Sequence, residues 1–165
     1  MYRASARAAC AVIAGDNGAY LYCKFRDEQF ALYDEYAKRH GMMMKTLLVV
    51  NVLFYDAVYQ KGGMTQKEIC RRTFQSKQTV NLIIKNLLAE NYVTVTEVPE
   101  NKRSKLVQMT GAGMAYCEKV VRHITWAEDT AMSMFMPEEQ KQLIGLSRKF
   151  TKNLTRLVNL ETEDA

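Results

Sequence analysis

The chain has 165 residues, 48% of them hydrophobic, and a formal net charge of +5 at pH 7. That length suits one domain with a proper core, and no apolar run approaches the roughly 20 residues a membrane-spanning helix needs. The four cysteines, at 10, 23, 70 and 117, form no CxxC pair, and His40 and His123 are the only histidines. A structural zinc site is therefore not expected, and a reduced, cytoplasmic protein without metal or other cofactor is.

The location of the charge says more than its size. Residues 61–110 hold nine positive side chains (Lys61, Lys67, Arg71, Arg72, Lys77, Lys85, Lys102, Arg103, Lys105) and four negative ones (Glu68, Glu90, Glu97, Glu100). The rest of the chain balances, so the whole excess sits in the middle third. A basic segment of this kind fits an anionic partner, nucleic acid above all.

In chain order, "MYRASARAACAVIAGD" has too short an apolar stretch for a secretory signal, and residues 1–22 are expected as a flexible or loosely helical arm. Residues 23–40 carry Phe30, Tyr33, Ala37 and His40 at helical spacing, with Asp27 and Glu28 near the start, and Gly41 ends the helix. A second helix, about 43–60, is apolar nearly all round and belongs inside. "KGG" at 61–63 opens a turn.

In "MTQKEICRRTF", Thr65 and Glu68 have capping-box spacing and predict a short helix over 65–72. The next helix is in "TFQSKQTVNLIIKNLLAENY", where Val80, Ile83, Ile84, Leu87 and Leu88 form one apolar stripe. Its first turn, Ser76, Lys77, Gln78 and Thr79, is polar, and Asn81 and Lys85 continue the polar face. Only a few residues separate the two helices, as in a helix-turn-helix. Asn91 is suited to the left-handed residue that closes many helices.

"YVTVTEV" at 92–98 alternates as a half-buried strand does, "PENKRS" makes a charged tip, and "KLVQM" at 105–109 returns. A hairpin directly after a helix-turn-helix predicts a winged helix. Thr110 then caps a long helix bearing Met114, Cys117, Val121, Ile124 and Phe135. Pro137 starts another, with Leu143, Leu146, Phe150, Leu154, Leu157 and Leu160 close to a heptad seam. The expected fold is mainly α with a small β-hairpin wing: a winged helix-turn-helix over 61–110, flanked by helices over 23–60 and 111–165.

This pattern puts a recognition helix at 76–89. Its back docks on the core while its N-terminal turn enters the major groove, about 12 Å wide. Lys77 suits guanine O6 and N7, Gln78 and Asn81 suit adenine, Thr79 offers a hydroxyl, and Ser76 and Thr65 suit phosphates. Lys85 extends the face. In the wing, Lys102, Arg103 and Lys105 are placed to meet the minor groove or the backbone. The competing expectation is a winged-helix protein-interaction module that binds an acidic partner. An enzyme is not expected: no phosphate loop, nucleophile motif or cluster of catalytic carboxylates occurs.

The segments "GMMMKTLLVVNVL", "MTQKEICRRTFQSKQTVNLIIKNLLAENYV" and "ENKRSKLVQMTGAG" resemble, in order and spacing, the MarR family of winged-helix transcriptional regulators. Within that pattern Asn91 stands where glycine is common, Asn101 where aspartate is usual, and Met43 where a capping threonine or serine is typical. The resemblance implies a homodimer held by the terminal helices, a palindromic double-stranded DNA operator, and modulation by a small phenolic, lipophilic or oxidant signal. It places DNA contacts on Ser76 to Asn81 and on Arg103. It also implies an effector pocket between dimer platform and winged domain, for which Tyr33, Tyr36, Met44, Leu48, Tyr55 and Tyr116 are the candidates, and it makes Cys23 the candidate oxidant-sensing thiol.

Overall fold

The computed structural model describes residues 18–60, 62–98 and 101–160, with side chains at 98, 101–104 and 160 excepted. Expectations for residues 1–17 and for Lys61 lie outside the described residues. The chain divides into two compact units, one ending at Val121 and the other beginning at Arg122.

In the first unit, α1 spans Gly18–Arg39. It starts earlier than expected, because Ala19 to Tyr22 have no proline or β-branched residue to stop the helical turn. Residues 18–22 are therefore helix rather than arm. Gly41, at φ 71°, closes it: the amides of Gly41 and Met42 bond back to the carbonyls of Lys38 and Ala37. Helix α2, Met44–Tyr55, begins at Met43 without a side-chain cap and buries Leu47, Val49, Val50, Leu53 and Phe54.

The single helix expected over 43–60 is two pieces, since a wider π-helical turn covers Asp56–Gln60. Asp56 is buried there, and its carboxylate accepts the Gly63 N–H at 2.9 Å. That bond draws the chain out of the helix and toward β1, Met64–Thr65, a strand too short to leave a period-two pattern.

Helix α3 spans Gln66–Thr73 and α4 spans Lys77–Ala89. Strands β2, Val93–Val98, and β3, Asn101–Met109, follow. The sheet is antiparallel in the order β1-β3-β2, with Met64 opposite Val107, Val93 opposite Met109, and a register shift between Glu97 and Val98. Tyr92, expected in the strand, serves the end of α4 instead. Its amide bonds to the Leu87 carbonyl at 2.8 Å while Asn91, at φ 58°, bonds to Leu88.

The core lies where α2, α3 and α4 meet, with Ile69, Val80, Ile83, Ile84, Leu87, Val93 and Val107 buried. Leu88, placed by its spacing in the buried stripe, is 47% exposed, because the narrower arc from Val80 to Leu87 already covers the contact face of α4. Helix α5, Gly111–Ser133, starts under Thr110, whose hydroxyl oxygen accepts the Gly113 N–H at 2.9 Å. Cys117, Val120 and Val121 are buried.

In the second unit α5 runs on to Ser133, and α6 spans Pro137–Leu160. Phe135, expected on α5, lies beyond its end. Glu139 reaches back to the Met136 amide at 2.8 Å, a cap that fixes the start of α6. Among the described residues no single helix is long and apolar enough to cross a membrane.

Candidate nucleic-acid interface

The interface is built by two helix starts and the turn between them. At α3 the predicted capping box is complete. The Thr65 hydroxyl oxygen accepts the Glu68 amide, and the Thr65 hydroxyl and amide both donate to the Glu68 carboxylate at 2.7 and 2.8 Å. Those bonds, the Thr65 hydroxyl's first and its amide's second, hold the Glu68 carboxyl below the usual range, with Arg71 and Arg72 assisting. The Thr65 hydroxyl is thus engaged inside its own helix.

Two bonds tie the start of α4 and the turn before it to other helices. The Gln66 carboxamide donates to the Lys77 carbonyl at 3.1 Å, while the Thr73 hydroxyl closes the end of α3 by donating to its own Ile69 carbonyl at 2.8 Å. The Gln75 carboxamide donates to the Lys45 carbonyl at 2.9 Å, pinning the turn to α2. Phe74 makes the turn in the left-handed conformation, at φ 53°. Ser76 is the N-cap of α4, accepting the Thr79 amide at 3.2 Å and pairing with the Thr79 hydroxyl at 2.9 Å.

The structure brings the expected recognition residues together on one face. Ser76, Lys77, Gln78, Asn81 and Lys85 are exposed, and Thr79 is half-buried. Lys77, Asn81 and Lys85 follow at four-residue steps and share one row; Gln78 and Leu82 form the next. Neither Lys77 nor Lys85 pairs with a carboxylate among the described residues. Leu82, on that face, is 57% exposed; Arg71 and Arg72 at the end of α3 are exposed as well, and Phe74 in the turn is 95% exposed. The spacing of the buried stripe leaves Leu82 out, which is the sequence signal for it; nothing in the sequence marks Phe74.

The wing differs from expectation. The returning strand starts at Asn101, four residues before Lys105, because the register shift after Glu97 brings Val98 opposite Asn101 and closes the hairpin early. Lys102 and Arg103 consequently sit on the backbone of β3 rather than in a loop; their side chains, and the tip at 99–100, lie outside the described residues. Lys105 is exposed, directly across from Glu97.

The six effector candidates differ in burial and surroundings. Tyr36 is buried and its hydroxyl donates to the Val120 carbonyl at 2.8 Å. Tyr33, Met44 and Leu48 are half-buried, while Tyr55 is exposed, its ring tilted by 40° against Tyr59 at 4.4 Å. Tyr116 lines a cleft of about 230 Å³, shared with Met42, Met43, Ile83, Leu87 and Tyr92. Tyr116 stacks on Tyr92 at 4.3 Å, and burial pushes its phenol upward. Cys23 is a half-buried free thiol. Cys117 is buried, which pushes its thiol up to about 11 and leaves it poorly nucleophilic. Among the described residues no three His, Cys, Asp or Glu side chains gather as a metal site.

Residues 56–104, the segment that builds α3, α4 and the start of the wing, match the model of the MarR family. The uncharacterized HTH-type transcriptional regulator YkoM of Bacillus subtilis (strain 168) is 26% identical over 113 residues, 68% of this chain and 70% of that protein. Among solved structures, NMB1585, a MarR family regulator from Neisseria meningitidis, has a TM-score of 0.72 at 17% identity, covering 87% of this chain and 98% of that one. The Staphylococcus aureus MepR–DNA complex gives 0.65 at 20%, covering 86% and 99%. The MarR-family pattern falls on the segment that forms the helix-turn-helix, and the described chain shares the winged-helix fold of solved MarR family regulators.

Proposed function

We propose that this protein is a transcriptional regulator that reads a specific DNA sequence as a homodimer on a palindromic operator, with α4 in the major groove of each half-site. The observation that carries the reading is the outward face of α4. Lys77, Gln78, Asn81 and Lys85 are exposed, without carboxylate partners for the two lysines, on a helix whose start is fixed by Ser76, Gln66 and Gln75. Donors and acceptors held rigidly at a helix N-terminus can match base edges, while Arg71, Arg72 and the helix start attract phosphates. MepR, of the same fold, has been solved in complex with DNA.

A second copy of the chain is supported by α6. Leu143, Ile144, Leu146, Leu154, Leu157 and Val158 are 42 to 66% exposed. So much apolar surface on one helix is unfavourable in water and fits a helix of a partner subunit. The effector site of this reading is the cleft at Tyr92 and Tyr116 rather than the wider set of tyrosines. It takes a flat, largely apolar molecule, and because α4 forms one wall through Ile83 and Leu87, an occupant would bias where α4 sits.

Selection of bound sequences from a random duplex pool at about 0.15 M salt, which weakens nonspecific phosphate attraction, tests the proposal. The expected outcome is a palindrome with half-sites about one helical turn apart. A folded dimer that enriches no sequence would assign the basic face to an acidic protein partner instead.

A further inference from the structure

Two exposed apolar side chains lie on the reading face and in the turn before it. Phe74 is 95% exposed and occupies the left-handed region at φ 53°, a conformation that glycine adopts freely and side chains with a Cβ resist. The turn between α3 and α4 therefore carries a bulky ring where the backbone favours none, and among the described residues the ring is left almost wholly uncovered. Leu82 is 57% exposed, one turn along α4 from Gln78 and on the same row.

The surroundings identify what these groups fit. Arg71 and Arg72 precede Phe74 on the last turn of α3, Lys77 follows it, and Lys85 lies one turn beyond Leu82; all four are exposed. The uncharged hydrogen-bonding side chains Gln78 and Asn81 lie among them. A lipid surface would match the apolar groups and the cations, but offers no ordered hydrogen-bond partners for the amide side chains. A duplex matches all three: phosphates for the cations, base edges for the amides, and the thymine 5-methyl groups and deoxyribose faces for the apolar pair.

We propose that Phe74 and Leu82 are specificity-determining residues that pack against the apolar surface of the DNA half-site. This rests on the DNA-reading function proposed above and assigns part of the sequence preference to hydrophobic packing rather than hydrogen bonding.

The test uses the full chain and the duplex that the wild-type protein itself enriches. Affinities of the wild type, Phe74→Gly and Leu82→Ala are measured by fluorescence anisotropy at several salt concentrations, on that duplex and on versions with single thymines replaced by deoxyuridine. Glycine suits the turn at 74, so Phe74→Gly is expected to melt at or above the wild-type temperature, which separates binding from folding. Each variant is expected to bind about four-fold more weakly for every methyl group of the duplex it leaves uncovered, the factor for one buried methylene-sized group. The salt slope should stay unchanged, since every phosphate partner is retained.

If the packing is against thymine, one deoxyuridine duplex weakens the wild type by a similar factor and the matching variant no longer senses that substitution. If it is against deoxyribose, the variants lose affinity equally on every duplex. Wild-type affinity and sequence preference in both variants would overturn the proposal while leaving DNA reading intact. A wild-type dimer that enriches no duplex would remove the DNA-reading function, and this inference with it.

Discussion

Gly113 shows how one missing side chain sets the junction between wing and helix. It is buried on α5, and a Cβ there would fall on the Tyr92 carbonyl, the oxygen that also accepts the Thr110 amide at 3.0 Å. Because backbone, not a flexible side chain, occupies the space, Gly113→Ala is expected to destabilise by about 1–3 kcal/mol, read by urea unfolding. Thr65 gives a pH-dependent counterpart. Its hydrogen bonds depress the folded-state pKa of Glu68, so the stability they add is present above the unfolded carboxyl value near about 4.3 and is lost as pH falls through the folded one. Thr65→Ala should therefore cost about 1 kcal/mol at neutral pH and less below about pH 4. An equal loss at both pH values would mean that the Glu68 half of the cap contributes nothing. At Tyr36, replacement by phenylalanine removes a buried hydroxyl bond to Val120 and should cost about 1 kcal/mol.

Among the elements, α4 is the one whose two ends do different work. Its C-terminal end is closed by Asn91 and Tyr92 and its back is buried through Val80, Ile83, Ile84 and Leu87, so the N-terminal turn can be presented without loosening the helix. Substituting Gln78 by alanine leaves this scaffold untouched because the side chain is exposed. Under the proposed reading it should weaken binding to the selected operator by about 1–3 kcal/mol and relax preference at one base pair, measured on single-base variants of that operator. Equal loss on every sequence would make Gln78 a backbone contact. The wing behaves differently from its expectation as a long charged loop, since β3 runs back to Asn101. The position of Lys102 and Arg103 is accordingly tied to the sheet register.

For the whole molecule, the stripe on α6 is a large exposed apolar surface, with Leu143, Ile144, Leu146, Leu154, Leu157 and Val158 all exposed. Deleting residues 141–165 removes it and is expected to abolish the dimer, as seen by sedimentation. A truncated chain that still sediments as a dimer would place the subunit contact elsewhere. The same deletion should leave the melting of the first unit cooperative, because the core at α2, α3, α4 and the sheet lies wholly before Val121.

Local chemistry was enough to determine much of this. The Thr65–Glu68 box, the stripe from Val80 to Leu87, the left-handed Asn91 and the Pro137 start are all read from residues within a few positions of one another, and each occurs in the structure. What the tertiary structure decided depends on residues far apart in sequence. The Asp56 carboxylate breaks an apolar helix by binding Gly63, β1 exists only because β3 is there to pair with it, and Tyr36 reaches Val120 across 84 positions. Composition names tyrosines and methionines, but only packing determines that Tyr116 stands beside Tyr92 while Tyr55 faces water. Phe74 is the sharpest case: hydrophobicity alone would bury it, and the backbone turn between two docked helices leaves it exposed.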